Sequence, residues 1–182
     1  MAFLPVEFGG VTPIGPEMFP CVLLQWLDRG LVLPMWIAAA VADELDIRDS
    51  GMSPRRPNAY DLLVDAYQQQ GGGVSEIRIV SQHQGVFIAS IVLLNGDEVD
   101  ARASDALVIA RIVQAPVLVD EDVLNQTSLF VSAPDLASYF DLVMEAPEVG
   151  EESSFGDAQA DADFEELMRS LGVSEDDLLG DE

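Results

Sequence analysis

The sequence predicts one domain built from both strands and helices, followed by an acidic extension. Three observations predict it. The 182 residues are 49% apolar, enough for a sizeable core in one domain of ordinary size. Strand signals bounded by tight-turn residues are interleaved with helical periodicities as far as residue 133. Beyond that point the charge balance changes: residues 1–133 hold 17 acidic and 7 basic side chains, and residues 134–182 hold 16 and 1. The boundary therefore falls near Ala133-Pro134, with a solvated acidic tail beyond it.

Residues 21–27 and 31–37 predict a hairpin around Asp28-Arg29-Gly30, because both runs are β-branched or aromatic and the Asp-x-Gly triplet favours a turn. The alanine-rich run 38–47 predicts a helix, and Pro54-Arg55-Arg56-Pro57 breaks the chain after it. Residues 60–70 predict a second helix whose packed face is Leu62, Leu63, Ala66 and Tyr67, stopped by Gly71-Gly72-Gly73. Residues 74–80 alternate as a half-buried strand, with Ile77 and Ile79 on one face. Gln82-His83-Gln84-Gly85 turns it into a strand over 86–94, and Asn95-Gly96 turns that into a strand over 98–101. Ser104 is expected to cap a helix over 105–113, because a serine oxygen accepts from the free N–H groups of a first turn. A strand over 117–119 and a helix over 121–125 complete the compact part.

In the tail, Leu136, Tyr139, Phe140 and Val143 recur at helical spacing, and so do Phe164, Leu167, Met168 and Leu171. The polar stretch 148–162 between them has no core pattern.

The net charge is -25, and all eight basic residues are arginines. Such a balance disfavours broad nucleic-acid binding, which needs clustered cations. The single cysteine, Cys21, excludes an internal disulfide, sits in an apolar run as an inert thiol, and points to a reducing, cytoplasmic setting. No signal peptide is read at the N-terminus. The longest apolar run, 31–42, is interrupted by Pro34 and falls short of the roughly 20 residues of a membrane span. One cysteine and one histidine exclude a conventional structural zinc site. Gly71-Gly72-Gly73 lacks both the spacing and the lysine of a phosphate loop.

Several blocks, in order, resemble the bifunctional nuclease domain family. They are Leu33-Pro34-Met35-Trp36-Ile37, Arg56-Pro57-Asn58-Ala59-Tyr60-Asp61-Leu62-Leu63, Gly85-Val86-Phe87-Ile88-Ala89, Asp100-Ala101-Arg102-Ala103-Ser104-Asp105-Ala106 and Ala115-Pro116-Val117. The resemblance covers residues 6–130. It implies an α+β fold, a mixed β-sheet flanked by helices, usually paired as a homodimer or higher homo-oligomer. It also implies cleavage of phosphodiester bonds in DNA and RNA, a hydrolase activity. The chain departs from the family pattern at three places. Tyr60 stands where the family has histidine, Ala103 where it has proline, and the run 38–42 lacks a family glutamate.

A metal-dependent nuclease generally needs two or more carboxylates around a divalent ion such as Mg2+ or Mn2+. The candidates are Asp61, Asp65, Asp100 and Asp105, with Asp61 and Asp105 as the catalytic and metal-binding pair. Arg56, Arg102 and Ser104 are the candidate phosphate ligands, arginine because its fork matches a phosphate bidentately. The structural alternative is that Asp61 and Asp105 serve the first turns of their helices, while Arg56 and Arg102 pair with them and tie those helices to the sheet. His83 lies in a turn without an acidic neighbour in sequence, so a solvated residue is expected rather than a general base. Trp26 and Trp36 are expected in the core, with a dimer-interface anchor as the alternative for Trp36.

The rival reading of function is a non-enzymatic interaction or regulatory protein with the same fold, its tail binding a protein partner. In that reading Phe164, Leu167, Met168 and Leu171 form a helix that lies in a partner's groove.

Overall fold

The computed structural model describes residues 2–52 and 54–140, so the tail readings beyond Phe140 lie outside the described residues. Among the described residues the chain forms eight strands and five α-helices. The strands are β1 (Phe3–Ile14), β2 (Phe19–Trp26), β3 (Leu31–Trp36), β4 (Val74–His83), β5 (Val86–Leu93), β6 (Glu98–Arg102), β7 (Val117–Asp120) and β8 (Leu129–Phe130). The helices are α1 (Ala39–Asp49), α2 (Ala59–Gly71), α3 (Ala103–Val113), α4 (Glu121–Thr127) and α5 (Ala133–Phe140). The sheet order is β6-β5-β4-β7-β1-β2-β3-β8, with β4 and β7 parallel and every other neighbouring pair antiparallel. The fold is α+β. No helix among the described residues is long and apolar enough to cross a membrane.

One face of the sheet carries the core. Ile77, Ile79, Ala89, Ile91, Val117, Val119, Leu24 and Leu33 form one buried cluster with Ala106, Leu107, Val108, Ile109 and Ala110 of α3. A helix apolar on nearly every side needs cover on both of its flanks. The sheet supplies one, and α1 and α2 supply the other.

Local turn chemistry explains most boundaries. The β2–β3 hairpin closes through a short 3-10 turn, Leu27–Arg29, ended by Gly30 at φ 63°. The β4–β5 hairpin turns on Gln84 and Gly85, both with positive φ, so His83 belongs to the strand and is exposed at its end. Asn58 caps α2 reciprocally: its side chain accepts from the Tyr60 and Asp61 amides, and Asp61 accepts from the Asn58 amide. At the other end Gly72 takes the left-handed conformation.

Four expectations are corrected. Strand β1 was not predicted, because Pro5, Gly9, Gly10 and Pro13 interrupt its pattern; the glycines form the irregularity between Phe8 and Val11, with Gly10 at φ 106°. Ser104 is not the cap of α3. The helix starts at Ala103, its N-cap is Arg102, and no side chain caps it. The packed side of α2 is Tyr60, Val64 and Tyr67, whereas Leu62 and Leu63 are 60% and 43% exposed. Trp26 is buried as expected, but Trp36 is 40% exposed.

Gly71 is where α2 meets the sheet most closely. A Cβ built there would lie 2.6 Å from Leu93 Cδ1 and 3.0 Å from Leu93 Cβ. Leu93 is itself buried, so it has little room to retreat. Gly71→Ala is expected to cost about 1–3 kcal/mol by overpacking. Urea unfolding checks this, and an unchanged midpoint would refute the contact.

Candidate functional site

The candidate residues gather where α1, α2 and the start of α3 meet. Arg48, near the end of α1, is the centre of the first group. Its Nη1 and Nη2 donate to Asp61 Oδ1 and Oδ2, both at 2.9 Å, in the bidentate fork that suits a carboxylate. Its Nε donates to Glu44 Oε1 at 2.7 Å, one turn earlier on α1. Asn58 Nδ2 donates to the same Glu44 oxygen at 2.8 Å, and the Asn58 amide donates to Asp61 Oδ2 at 2.9 Å. The Arg48 side chain is only 5% exposed, so five polar groups saturate one another in a largely dry corner. Its hydrogen bonds to Asp61 hold the guanidinium firmly charged and pull the Asp61 carboxyl below the ordinary carboxylate range.

The second group joins α2 to α3. Tyr60 Oη donates to Asp105 Oδ1 at 2.8 Å. Burial, then the bond to Asp105, pushes the Tyr60 phenol up to about 12, with Glu44 adding to the rise and Arg102 opposing it. Arg102 is therefore close enough to act on this phenol electrostatically. It is exposed at the end of β6, and it makes no ion pair or hydrogen bond to another described residue. Ser104, half-buried in the first turn of α3, donates to no described residue.

Tyr60 and Asp61 are thus neighbours in sequence with separate partners: one reaches α3, the other α1. The expected ion pairs of Arg56 and Arg102 with Asp61 and Asp105 do not form. Arg48 holds Asp61, and a tyrosine holds Asp105. Arg56 is exposed in the connection before α2, and Asp65 and Asp100 are exposed on α2 and β6. None of the three bonds to another described residue. His83 stands away at the β4–β5 turn, opposite Val86. Cys21 is fully buried, and burial pushes its thiol up to about 12, which leaves it unreactive.

The pattern of donors bears on a metal. Among the described residues no three His, Cys, Asp or Glu side chains come together as ligands. Both Asp61 oxygens already accept from Arg48, and one Asp105 oxygen accepts from Tyr60. The pair as arranged does not fit a divalent ion.

Sequence reading missed Arg48, Glu44 and Asn58. Two signals were present: Glu44 and Arg48 are four apart on one helix, and Asn58 precedes Asp61 by three, the spacing of a capping box. Glu44 also lies two residues beyond the run 38–42, so the corner keeps an acidic group although that run has none.

Comparison with known proteins gives the family. A sequence model described as bifunctional nuclease domain matches residues 22–132. Two proteins of Mycobacterium tuberculosis, from strains CDC 1551 and H37Rv, are each 32% identical over 126 residues, covering 69% of this chain and 77% of their own length. Both are described as uncharacterized. The matched region contains Arg48, Tyr60, Asp61, Arg102 and Asp105.

Proposed function

Because the chain belongs to the bifunctional nuclease domain family, we propose that it cleaves phosphodiester bonds in DNA or RNA at the start of α3. The observation that carries this reading is the Tyr60–Asp105 pair beside an exposed, unpaired Arg102.

Arg102 is the cation that grips the phosphate, assisted by the Ser104 hydroxyl and the free first-turn amides of α3. Arg56 serves the flanking backbone from the loop before α2. Asp105 takes a proton from water as the water oxygen attacks phosphorus; the bond to the leaving oxygen breaks, and that oxygen takes up a proton from solvent. Tyr60 keeps its own proton at neutral pH, because its phenol is pushed up to about 12, and holds the carboxylate in place. Asp61 is a positioning residue: through Arg48 it fixes the first turn of α2, and so the root of Tyr60.

A role for Mg2+ or Mn2+ at Asp61 and Asp105 would require Asp61 to leave its fork with Arg48. Incubating the full chain with single-stranded DNA and RNA tests the reading, in chelator and with each metal. Cleavage that depends on Asp105 is expected. Product no greater than that of an Asp105→Asn preparation in all conditions would sink it. That second outcome would favour a non-enzymatic interaction protein, a reading supported by the saturation of Asp61 by Arg48.

Two copies pair, in this proposal, through the end of the β2–β3 hairpin. Cys21 lies opposite Trp36 and Ile14 opposite Phe19, which brings Trp36 and Phe19, 40% and 54% exposed, to one apolar edge. Light scattering should give twice 19.7 kDa, reduced to one chain by Trp36→Ser. A wild-type monomer at high concentration would disprove the pairing.

A further inference from the structure

We propose that the outer side of the α1–α2 corner is a docking surface for the chain's own C-terminal segment, residues 161–173. The surface is apolar where a solvent-facing helix is usually polar. Leu62 and Leu63 on α2 are 60% and 43% exposed, Met52 in the connection is 60% exposed, and Ile47 on α1 is 38% exposed. The Arg48–Asp61 fork fastens the two helix ends, so these side chains ride on one unit. The connection also carries Arg55 and Arg56, both exposed and neither paired with another described residue. An apolar patch bearing two uncompensated cations is the exception on a domain whose charge is otherwise acidic.

The segment that fits is written later in the same chain. Residues 161–173 place Phe164, Leu167, Met168 and Leu171 at the i, i+3, i+4, i+7 spacing of one helical side, with Asp161, Asp163, Glu165 and Glu166 around its beginning. Laid apolar side down, as amphipathic helices enter grooves, it covers Leu62 and Leu63 and brings its carboxylates to Arg55 and Arg56. The tether is long enough. The 20 residues numbered 141–160 span up to about 70 Å, against a radius of gyration of roughly 14 Å for a domain of this size. Tethering also supplies an effective concentration on the order of millimolar, so a small contact area suffices. Since Arg56 is assigned to the nucleic-acid backbone under the nuclease reading, a docked tail would compete with substrate. That consequence rests on the reading above, but the docking does not.

The test uses the full chain and no activity. Ser170→Cys supplies a site for a nitroxide label, because buried Cys21 stays unmodified. Paramagnetic broadening should reduce the amide signals of residues 47–66 at least threefold and spare those around Phe130 on β8. Arg55→Glu/Arg56→Glu and Leu62→Ser/Leu63→Ser replace exposed residues, so each pair should abolish the broadening and leave the remaining spectrum intact. Mixing labelled chain without nitrogen-15 into unlabelled nitrogen-15 chain should give little broadening. Uniform broadening, broadening on another face, persistence in both double variants, or full transfer in the mixture would each overturn the proposal.

Discussion

Arg48→Met is expected to lower stability at pH 7 by about 3 kcal/mol, equivalent to a fall in Tm of roughly 9 °C. The substitution keeps an apolar stem in place and removes the charge together with the three N–H donors that hold Glu44 and Asp61. Glu44 and Asp61, whose side chains are 16% and 20% exposed, then face each other without a cation. Their residual access to water places the effect at the lower end of what a broken buried pair costs. Arg48→Lys should recover part of the loss, since an ammonium restores charge but not the fork.

The dependence on pH separates this explanation from simple loss of packing. The Asp61 carboxyl is held below its ordinary range by Arg48. A depressed carboxyl contributes stability that is present above its unfolded value, about 3.9, and that is lost as pH falls through the folded one. The difference between wild type and Arg48→Met should therefore shrink as pH falls from 7 to 3. Denaturant unfolding at both pH values measures it. A difference of equal size at each would show that the charge is not the cause.

Asp105→Asn is the second large effect. Under the proposed mechanism it removes the proton acceptor, a loss of roughly 10²–10⁴-fold in cleavage rate. Its structural cost should be under about 1 kcal/mol, because an amide oxygen still accepts from Tyr60. A wild-type rate in this variant, with folding intact, would remove Asp105 from the reaction. The rate should also show no limb near pH 6.5, where an ordinary histidine titrates. Tyr60 occupies the position at which the resembled block has histidine, and its phenol, at about 12, stays protonated throughout neutral pH.

The parts of this molecule that were legible in its sequence are those decided within a few residues. The β2–β3 hairpin, the stop of α2 at Gly72, and the Asn95-Gly96 turn each follow from local backbone chemistry. So does the burial of Ile77 and Ile79 by alternation. The parts that were not legible are decided by distant partners. Strand β1 survives its prolines and glycines because β2 and β7 flank it. Leu62 and Leu63 have the spacing of a core stripe, yet the contact with α3 turns Tyr60 inward instead. Asp61 and Asp105 stood out as charged groups in helix first turns, but their partners, 13 and 45 residues away in sequence, could not be assigned from spacing.

Strand β1 also sets the order of events during synthesis. Phe3 to Val6 pair with residues 117–120 of β7, and Glu7 to Ile14 pair with β2. The β2–β3 hairpin can close soon after it leaves the ribosome, and β1 can join it. The first four residues of the strand then wait, with an open edge, while the 80 residues numbered 37–116 are made. Contacts of such separation form slowly, and an unpaired edge invites other chains meanwhile. The nascent chain is thus most vulnerable to aggregation between the completion of its first hairpin and the emergence of β7, and a holdase chaperone that protects the N-terminus in that interval would raise its yield.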